Sequence, residues 1–473
     1  MQMKTSTYKY TAIWAILIVI VFSAVMNACR TTNGASFEKI GGQITKPRLI
    51  VTTDIGGDPD DMQSLIRLLL YANEFDIEGI IVSASGTIGE LGQEIIQPKY
   101  VHQVIDSFAL VRPQLIRHDK DYPTVQRLRT VVKYGNPTRG WESIGKGKST
   151  EASDWIRKCI DKDDPRPLNI AIWGGQTDFA QAMWEIKSRM GESGLKVAAQ
   201  KLRVYDIADQ DKIFDKIITE FPGLFYVLSD NPTDKYASSF RGMFYKGDLT
   251  TVSYDWVSMN IKNNHGPMCS LYPMTTSTRR EFPYNCMKEG DTPSWYFFYN
   301  NGLNIPSSPR LGSWGGRYEY NGTYYQETSD NVDSLYSARA TVLRWRNAYN
   351  NDFAARADWC VKPFHKANHS PQPVLNGVGG KEMLRFKVRP GDEITLDASE
   401  SADPDENEIH FNWWLYKDIS GKELEIENSS KAKTKVRVSS EAKKGNEYHV
   451  ILEIVDYGIP SLSAYRRVCV EVI

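Results

Sequence analysis

Apolar and polar positions along the first half of the chain follow two different rhythms. Short apolar runs of the kind that form buried strands are separated by stretches whose apolar residues recur at helical spacing. The predicted strands are 49–51, 80–82, 168–173, 202–207 and 224–228, and the predicted helices are 65–70, one opened by Pro98, 179–190 and 213–221. Helices between successive strands form right-handed crossovers, so we predict an α/β domain with a doubly wound, mainly parallel sheet.

The rhythm changes after residue 230. Residues 231–330 are dense in Gly, Asn, Pro and aromatic residues, which favours long ordered loops, and apolar spacing predicts one helix at about 332–359. After a stretch rich in Pro and Gly, alternating runs predict strands at 394–396, 410–416, 434–438, 448–455 and 467–472. We therefore assign 46–360 to the α/β domain, 361–373 to a linker and 374–473 to an immunoglobulin-like β-sandwich.

The composition is that of a globular protein that does not bind nucleic acid. The 473 residues are 41% hydrophobic and 24% charged, which fits two or three folded domains. Lysine and arginine number 57 against 58 aspartate and glutamate, and no run of like charge offers a footprint for a polyanion. The histidines and cysteines lack the spacing of a transition-metal site, although a disulfide between Cys269 and Cys286 is compatible with the sequence.

The amino terminus resembles a secretory signal of the lipoprotein type. An apolar stretch at 11–28 follows Lys4 and Lys9 and ends at a small residue before Cys29. We expect residues 1–28 to be removed and Cys29 to carry a lipid, with 29–45 as a tether. The alternative is an uncleaved membrane anchor. In both cases the chain crosses the inner membrane and stays attached to a membrane, on the periplasmic side or at the cell surface.

Four aspartates fall within eight residues directly after the first predicted strand. They are Asp54, Asp58, Asp60 and Asp61. Open α/β sheets bind ligands at the carboxyl ends of their strands, and Gly56 and Gly57 permit the tight turn that brings such side chains together. Carboxylates so close repel one another unless a cation compensates them, and an all-oxygen set suits Ca²⁺ or Mg²⁺. Alternatively, the last three aspartates only cap the following helix and complement its dipole.

This segment resembles the aspartate signature of the nucleoside hydrolase superfamily, Asp-x-Asp-Pro-Gly-x-Asp-Asp. Asp54 matches the second aspartate of that signature, and Asp60 and Asp61 match its final pair. Two residues are inserted before the pair, and a threonine replaces the first aspartate. This departure resembles the bacterial cellulose-binding, nucleoside-hydrolase-like family, whose members carry a C-terminal immunoglobulin-like domain. Further segments at 172–178, 264–267, 289–294 and 314–317 extend the resemblance over about residues 46–360.

The resemblance implies a calcium site with a hydrolytic function. Its ligands would be Asp54, Asp60, Asp61, the carbonyl of Thr177, and Asp291. Calcium would hold the sugar hydroxyls and a water, and Asp54 would take the proton of that water. The water would then attack the anomeric carbon of an N-glycosyl or related glycosidic bond.

Activation of the leaving group is the step that the sequence supplies least clearly. Gly290 stands where the superfamily has a histidine, so His265 or Glu289 would have to donate the proton. His265 also fits a purely structural role. The expected substrate contacts are Asn260, Trp173, Trp295 and Trp314. These residues are equally compatible with packing in a loop-rich region.

Two functions are therefore compatible with the sequence. The first is a calcium-dependent hydrolase of N-glycosyl or related glycosidic bonds in the bacterial cell envelope, acting on a carbohydrate or a nucleoside-like small molecule. The second is a noncatalytic lipoprotein that binds cellulose or another plant polysaccharide and retains the metal site as a structural clamp. The aspartate cluster supports the first function, whereas the missing histidine and the aromatic loops support the second.

Overall fold

The structure is a computed structural model that describes residues 31–32, 35–40, 45–85, 94–231, 233–277, 284–421 and 423–473. The predicted signal at 1–28 and the predicted lipidation site Cys29 lie outside the described residues. Among the described helices, none has the length and apolar character needed to span a membrane.

The described residues form the following strands and helices. The strands are β1 Thr31–Thr32, β2 Ala35–Ile40, β3 Arg48–Thr53, β4 Asp76–Val82, β5 Val132–Tyr134, β6 Leu168–Ile172, β7 Leu202–Ile207, β8 Phe225–Ser229, β9 Thr275–Ser277, β10 Tyr284–Cys286, β11 Tyr318–Tyr320, β12 Tyr325–Glu327, β13 Asp330–Val332, β14 Leu335–Ser337, β15 Met383–Val388, β16 Glu393–Asp397, β17 Ile409–Leu415, β18 Glu425–Glu427, β19 Lys433–Arg437, β20 Glu447–Asp456 and β21 Ser463–Val472. The α-helices are α1 Asp60–Leu70, α2 Pro98–His118, α3 Val125–Val131, α4 Glu151–Asp161, α5 Gln176–Gln200, α6 Phe214–Glu220, α7 Tyr254–Val257, α8 Gly266–Ser270, α9 Thr292–Tyr296, α10 Ala340–Leu343, α11 Arg346–Trp359 and α12 Lys417–Ser420.

An eight-stranded sheet forms the centre of the first domain, in the order β11-β12-β8-β7-β6-β3-β4-β5. All neighbours pair in parallel except β11 and β12, which confirms the predicted doubly wound, mainly parallel sheet. Successive side chains of a strand point to opposite faces. In β3, Leu49 and Val51 enter one hydrophobic core and Ile50 enters the other, so helices cover both faces of the sheet.

The second domain is a β-sandwich, as predicted. A six-stranded sheet in the order β1-β2-β15-β21-β20-β17 and a three-stranded sheet in the order β16-β19-β18 share one hydrophobic core. Trp413 lies in that core, whereas Trp414 is half-buried and its ring lies 5.8 Å from that of Trp345 in the first domain. Residues 35–40, which the sequence placed in a tether, form the strand β2 and pair with β15.

The sandwich is fused to the first domain by a continuous buried interface. Tyr416 and Tyr465 of the sandwich belong to the same core as Trp314 of the first domain. The guanidinium of Arg467, fully buried, donates hydrogen bonds to carbonyl oxygens of the first domain, and the Tyr416 hydroxyl donates to Asp330 at 2.6 Å. The second domain is therefore packed as part of one body rather than held as a separate module.

Two local predictions were wrong. The first part of the predicted helix at 332–359 is the hairpin β13–β14, because Asp333 and Ser334 take positive φ angles of 49° and 68° and turn the chain back. Regular α-helix resumes at α10 and α11. Cys269, in α8, and Cys286, in β10, are buried free thiols and do not form the disulfide that the sequence allowed.

Candidate functional site

The aspartate segment forms the turn between β3 and α1. Asp54 directly follows the strand, and Asp60 and Asp61 form the first turn of the helix. Gly56 has a φ of 113°, and a Cβ atom there would lie 2.3 Å from Nε2 of Gln97. This position therefore requires glycine, and the predicted tight turn is present.

Three carboxylates from two separate segments converge at this turn. Asp291, which directly precedes α9, joins Asp60 and Asp61, and one oxygen atom of each lies within 4.8 Å of the others. Asp61 and Asp291 are 4% and 2% exposed. Oδ2 of Asp291 is buried and has no hydrogen-bond partner among the described residues. The structure thus brings together three of the predicted ligands and leaves one buried oxygen without a partner.

The electrostatics of the cluster favour a cation. Burial raises the pKa of Asp61 and of Asp291 well above the usual range, and repulsion from the neighbouring aspartates adds to the effect in both. Burial also raises the pKa of Asp54 to about 7, against the opposing attraction of Arg139. A bound divalent ion would offset this repulsion, and an oxygen-only donor set fits Ca²⁺ or Mg²⁺. The residues present therefore fit the predicted metal.

Two basic side chains already neutralise part of the cluster. Nζ of Lys288 donates to Asp58 and lies 3.2 Å from Oδ2 of Asp60. Nη2 of Arg139 lies 3.3 Å from Oδ2 of Asp54. Neither cation forms an ion pair with Asp61 or Asp291 among the described contacts. These two carboxylates are consequently the strongest candidates for metal ligands.

Thr177 lies beside the cluster, in the first turn of α5. Its turn packs directly on Asp54, because a Cβ atom on Gly174 would lie 2.7 Å from Cγ of Asp54. The backbone amide and the hydroxyl of Thr177 both donate to Oδ2 of Asp211, at 2.8 and 2.6 Å. Asp211 is 6% exposed and is a further acidic group at this edge of the sheet. That Thr177 offers its carbonyl to a metal stays a prediction.

Both predicted proton donors have partners outside the aspartate cluster. Glu289 is fully buried and pairs with Arg67, whose Nε lies 2.5 Å from Oε2 of Glu289. The hydroxyl of Tyr272 also donates to Glu289. Nε2 of His265 lies 3.2 Å from Oδ1 of Asp358, near the end of α11, so its described partner is structural. These contacts give no support to the catalytic roles of Glu289 and His265, which stay predictions.

The three tryptophans predicted as substrate contacts are turned inward, whereas Asn260 is half-buried, and the substrate-binding role of all four stays a prediction. Trp173 and Trp295 are fully buried and Trp314 is 2% exposed, so none presents a ring face to a sugar. Nε1 of Trp173 donates to the Ser294 hydroxyl at 2.7 Å, which braces the segment after Asp291. Asn260 donates to the carbonyl of Trp256, one turn earlier in its own helical segment, at 2.9 Å.

Comparison with known proteins identifies the family. A profile described as "Cellulose-binding Sde182, nucleoside hydrolase-like domain" matches residues 48–318. The chain belongs to this Sde182 family. A second profile, described as "Cellulose-binding protein Sde0182, C-terminal domain", matches residues 393–472. The family predicted from the aspartate segment and the appended sandwich is thereby confirmed.

A solved structure agrees with this assignment. A nucleoside hydrolase-related hypothetical protein from Saccharophagus degradans, associated with carbohydrate metabolism, is 32% identical. The match covers 91% of this chain and 100% of that chain, with a TM-score of 0.76. Human CDH23 EC21–23 is 20% identical over 22% of this chain and 35% of that chain, and its TM-score of 0.17 carries no structural argument. No curated protein matches the chain.

Sequence reasoning missed the basic residues of this Sde182-family site. Lys288 stands two residues before Gly290 in the segment that carries Asp291, so its proximity to the aspartate cluster could have been inferred from that assignment. Arg139 comes from a loop after β5, with no motif around it. The site of this chain thus combines the acidic cluster of a nucleoside hydrolase-like fold with two basic side chains, Lys288 and Arg139.

Proposed function

We propose that this Sde182-family chain binds carbohydrate, and that its nucleoside hydrolase-like domain holds one divalent cation, calcium, at Asp61 and Asp291. The observation that carries the proposal is the closeness of these two buried carboxylates. One of their oxygens, Oδ2 of Asp291, has no hydrogen-bond partner among the described residues. Ca²⁺ takes six to eight oxygen ligands, so an ion held by two or three carboxylates keeps positions for sugar hydroxyls. Cellulose or another plant polysaccharide is the expected partner.

Binding without hydrolysis is favoured by the surroundings of the cluster. Cleavage of a glycosidic bond with a poor leaving group needs a proton donor within hydrogen-bond reach. Glu289 is committed to its pair with Arg67, and His265 contacts Asp358. Gly290 has no side chain to offer at the position of the superfamily's histidine.

The test separates calcium binding, carbohydrate binding and turnover. Titration calorimetry should find one Ca²⁺ per chain, and cello-oligosaccharides should bind in calcium but lose affinity in EDTA, because the ion supplies the contacts to hydroxyls. Release of p-nitrophenol from a riboside, and of bases from nucleosides, should stay at background. Oligosaccharide binding that persists unchanged in EDTA would contradict the proposed role of the ion.

A calcium-dependent hydrolase is the second candidate, and the position of Asp54 favours it. Asp54 lies beside Asp61 at the carboxyl end of β3, where a carboxylate can accept a proton from a water attacking a sugar. When bound, calcium would polarise such a water. If turnover is found in the assay above, Asp54→Asn should abolish it and leave oligosaccharide binding unchanged. Equal loss of both activities in that variant would count against this candidate.

We further propose that the protein acts in the cell envelope, attached to a membrane through a lipid on Cys29. The apolar stretch ending before Cys29 supports this localisation. Full-length protein expressed with an alkyne-tagged fatty acid should incorporate the tag and sediment with membranes. The Cys29→Ala variant should not incorporate it. Equal labelling of both proteins would refute the assignment of Cys29.

A further inference from the structure

A second cluster of potential metal ligands lies in the sandwich, away from the aspartates. In the antiparallel pair β20–β21, His449 stands directly opposite Cys469. Glu447 precedes His449 by two residues and therefore points to the same face of the sheet. One ligand atom from each of the three residues lies within 4.8 Å of the others.

The imidazole of His449 is the anomaly in this cluster. The side chain is 2% exposed, and both Nδ1 and Nε2 are buried without a hydrogen-bond partner among the described residues. Nε2 lies 3.9 Å from Oε2 of Glu447, too far for a hydrogen bond. Buried polar groups without a partner are rare because their desolvation is not repaid.

We propose that Glu447, His449 and Cys469 hold one Zn²⁺ ion. Imidazole nitrogen, thiolate sulfur and carboxylate oxygen are the donors that zinc combines in proteins, with bonds of about 2.0 to 2.3 Å. Shifts of about 1 Å or less in the three side chains would bring them to such distances. As the bond from zinc to Sγ forms, the S–H bond of Cys469 breaks and its proton passes to the buffer. No oxidant or reductant takes part.

Arginine side chains near the cluster compete with zinc for the carboxylate of Glu447. Arg310 of the first domain donates to Glu447, but its side chain is 51% exposed and free to move into solvent. Arg385 lies 3.9 Å from Glu447 and is held at 3.2 Å by Glu471. Arg467 is bound to backbone carbonyls of the first domain. Zinc binding therefore requires Arg310 to release Glu447, and removing Arg310 should strengthen it.

The site would clamp β20 to β21 beside the domain interface. Cys469 packs with Leu311 of the first domain and Met383 of β15 in a small apolar cluster. Because an ion that binds the folded state stabilises it by mass action, the midpoint of thermal unfolding should rise with zinc concentration. Calcium, which prefers oxygen ligands, should not produce the same rise through this site.

Cobalt substitution tests the proposal on the complete mature chain. After removal of metals, addition of Co²⁺ should produce a thiolate-to-cobalt absorption band that one equivalent of Zn²⁺ abolishes. The band should be absent in Cys469→Ser and in His449→Gln. It should be retained in Cys159→Ser, which changes another buried free cysteine, and in Asp291→Asn, which changes only the aspartate cluster. The affinity for Zn²⁺ should increase by about two- to fivefold in Arg310→Ala, the range expected for loss of a partly exposed ion pair.

The results that would overturn the proposal are equally direct. Absence of the thiolate-to-cobalt band in the unmodified chain would overturn the proposal whatever the variants do. Misfolding of Cys469→Ser therefore cannot obscure the answer. A band that persists in a folded Cys469→Ser variant would also overturn the proposal, because the thiolate would then come from another cysteine. Zinc binding that is unchanged or weaker in Arg310→Ala would contradict competition between Arg310 and the ion for Glu447, and with it the assignment of Glu447 as a ligand.

Discussion

Replacing Asp291 by asparagine is expected to lower the affinity for Ca²⁺ by at least about 100-fold, because it removes a charged ligand from the centre of the cluster. The fold should persist, since Oδ2 of Asp291 has no described hydrogen bond to lose. In EDTA the variant should be at least as stable as the unmodified chain. Burial, which chiefly raises the pKa of Asp291, and repulsion from Asp60 and Asp54 both penalise the charged carboxylate, and a neutral amide avoids both penalties. Titration calorimetry and thermal unfolding in EDTA measure the two effects.

A matched control comes from a carboxylate far from the cluster. Asp106 lies on α2, is exposed and pairs with Arg129 at 2.7 Å. Asp106→Asn should bind Ca²⁺ with unchanged affinity. If Asp291→Asn also bound calcium as tightly as the unmodified chain, the cluster would not be the calcium site. The carbohydrate proposal would then lose its central observation.

The second large effect is on stability, at the buried pair of Glu289 and Arg67. Glu289→Gln is expected to lower the free energy of unfolding by about 3 to 5 kcal/mol, because it leaves a charged guanidinium buried without its carboxylate. Both side chains are fully buried, and the hydroxyls of Tyr272 and Thr292 also donate to Glu289. Urea unfolding followed by circular dichroism measures the change.

An exposed ion pair provides the comparison for this variant. Glu220 is half-exposed and lies 3.2 Å from Lys187, so Glu220→Gln should cost less than about 1 kcal/mol. A Glu289→Gln variant as stable as the unmodified chain would contradict the structural role given to Glu289. If such a variant also lost turnover, Glu289 would have to be reconsidered as the proton donor of a hydrolase.

The sequence predicted the regular parts of the fold well and failed where local patterns were ambiguous. The strand Leu202–Ile207 was predicted at its observed bounds because four of its six residues are apolar and include the strand-favouring Val204 and Tyr205. The segment at 332–337 has apolar residues at helical spacing, but the positive φ angles of Asp333 and Ser334 make it a hairpin. Spacing alone did not reveal that turn.

The candidate site divides in the same way. Asp54, Asp60 and Asp61 were found because they are adjacent in sequence and follow a buried strand. Asp291 was found only through the family resemblance, and Lys288 and Arg139 were missed. The triad of Glu447, His449 and Cys469 escaped because sequence spacing does not reveal a cross-strand pairing, here between residues 20 positions apart.

The sequence by itself determined the alternation of strands and helices over about the first 230 residues, the α/β class of the first domain, the sandwich after it and the family. It did so because hydrophobic periodicity and glycine-dependent turns are local properties of the chain. The tertiary structure alone decided which polar side chains meet: it paired Glu289 with Arg67, turned Trp295 and Trp314 into the core, and set Lys288 against the aspartates. Burial and charge pairing depend on contacts between residues far apart in the sequence, and no local pattern records them.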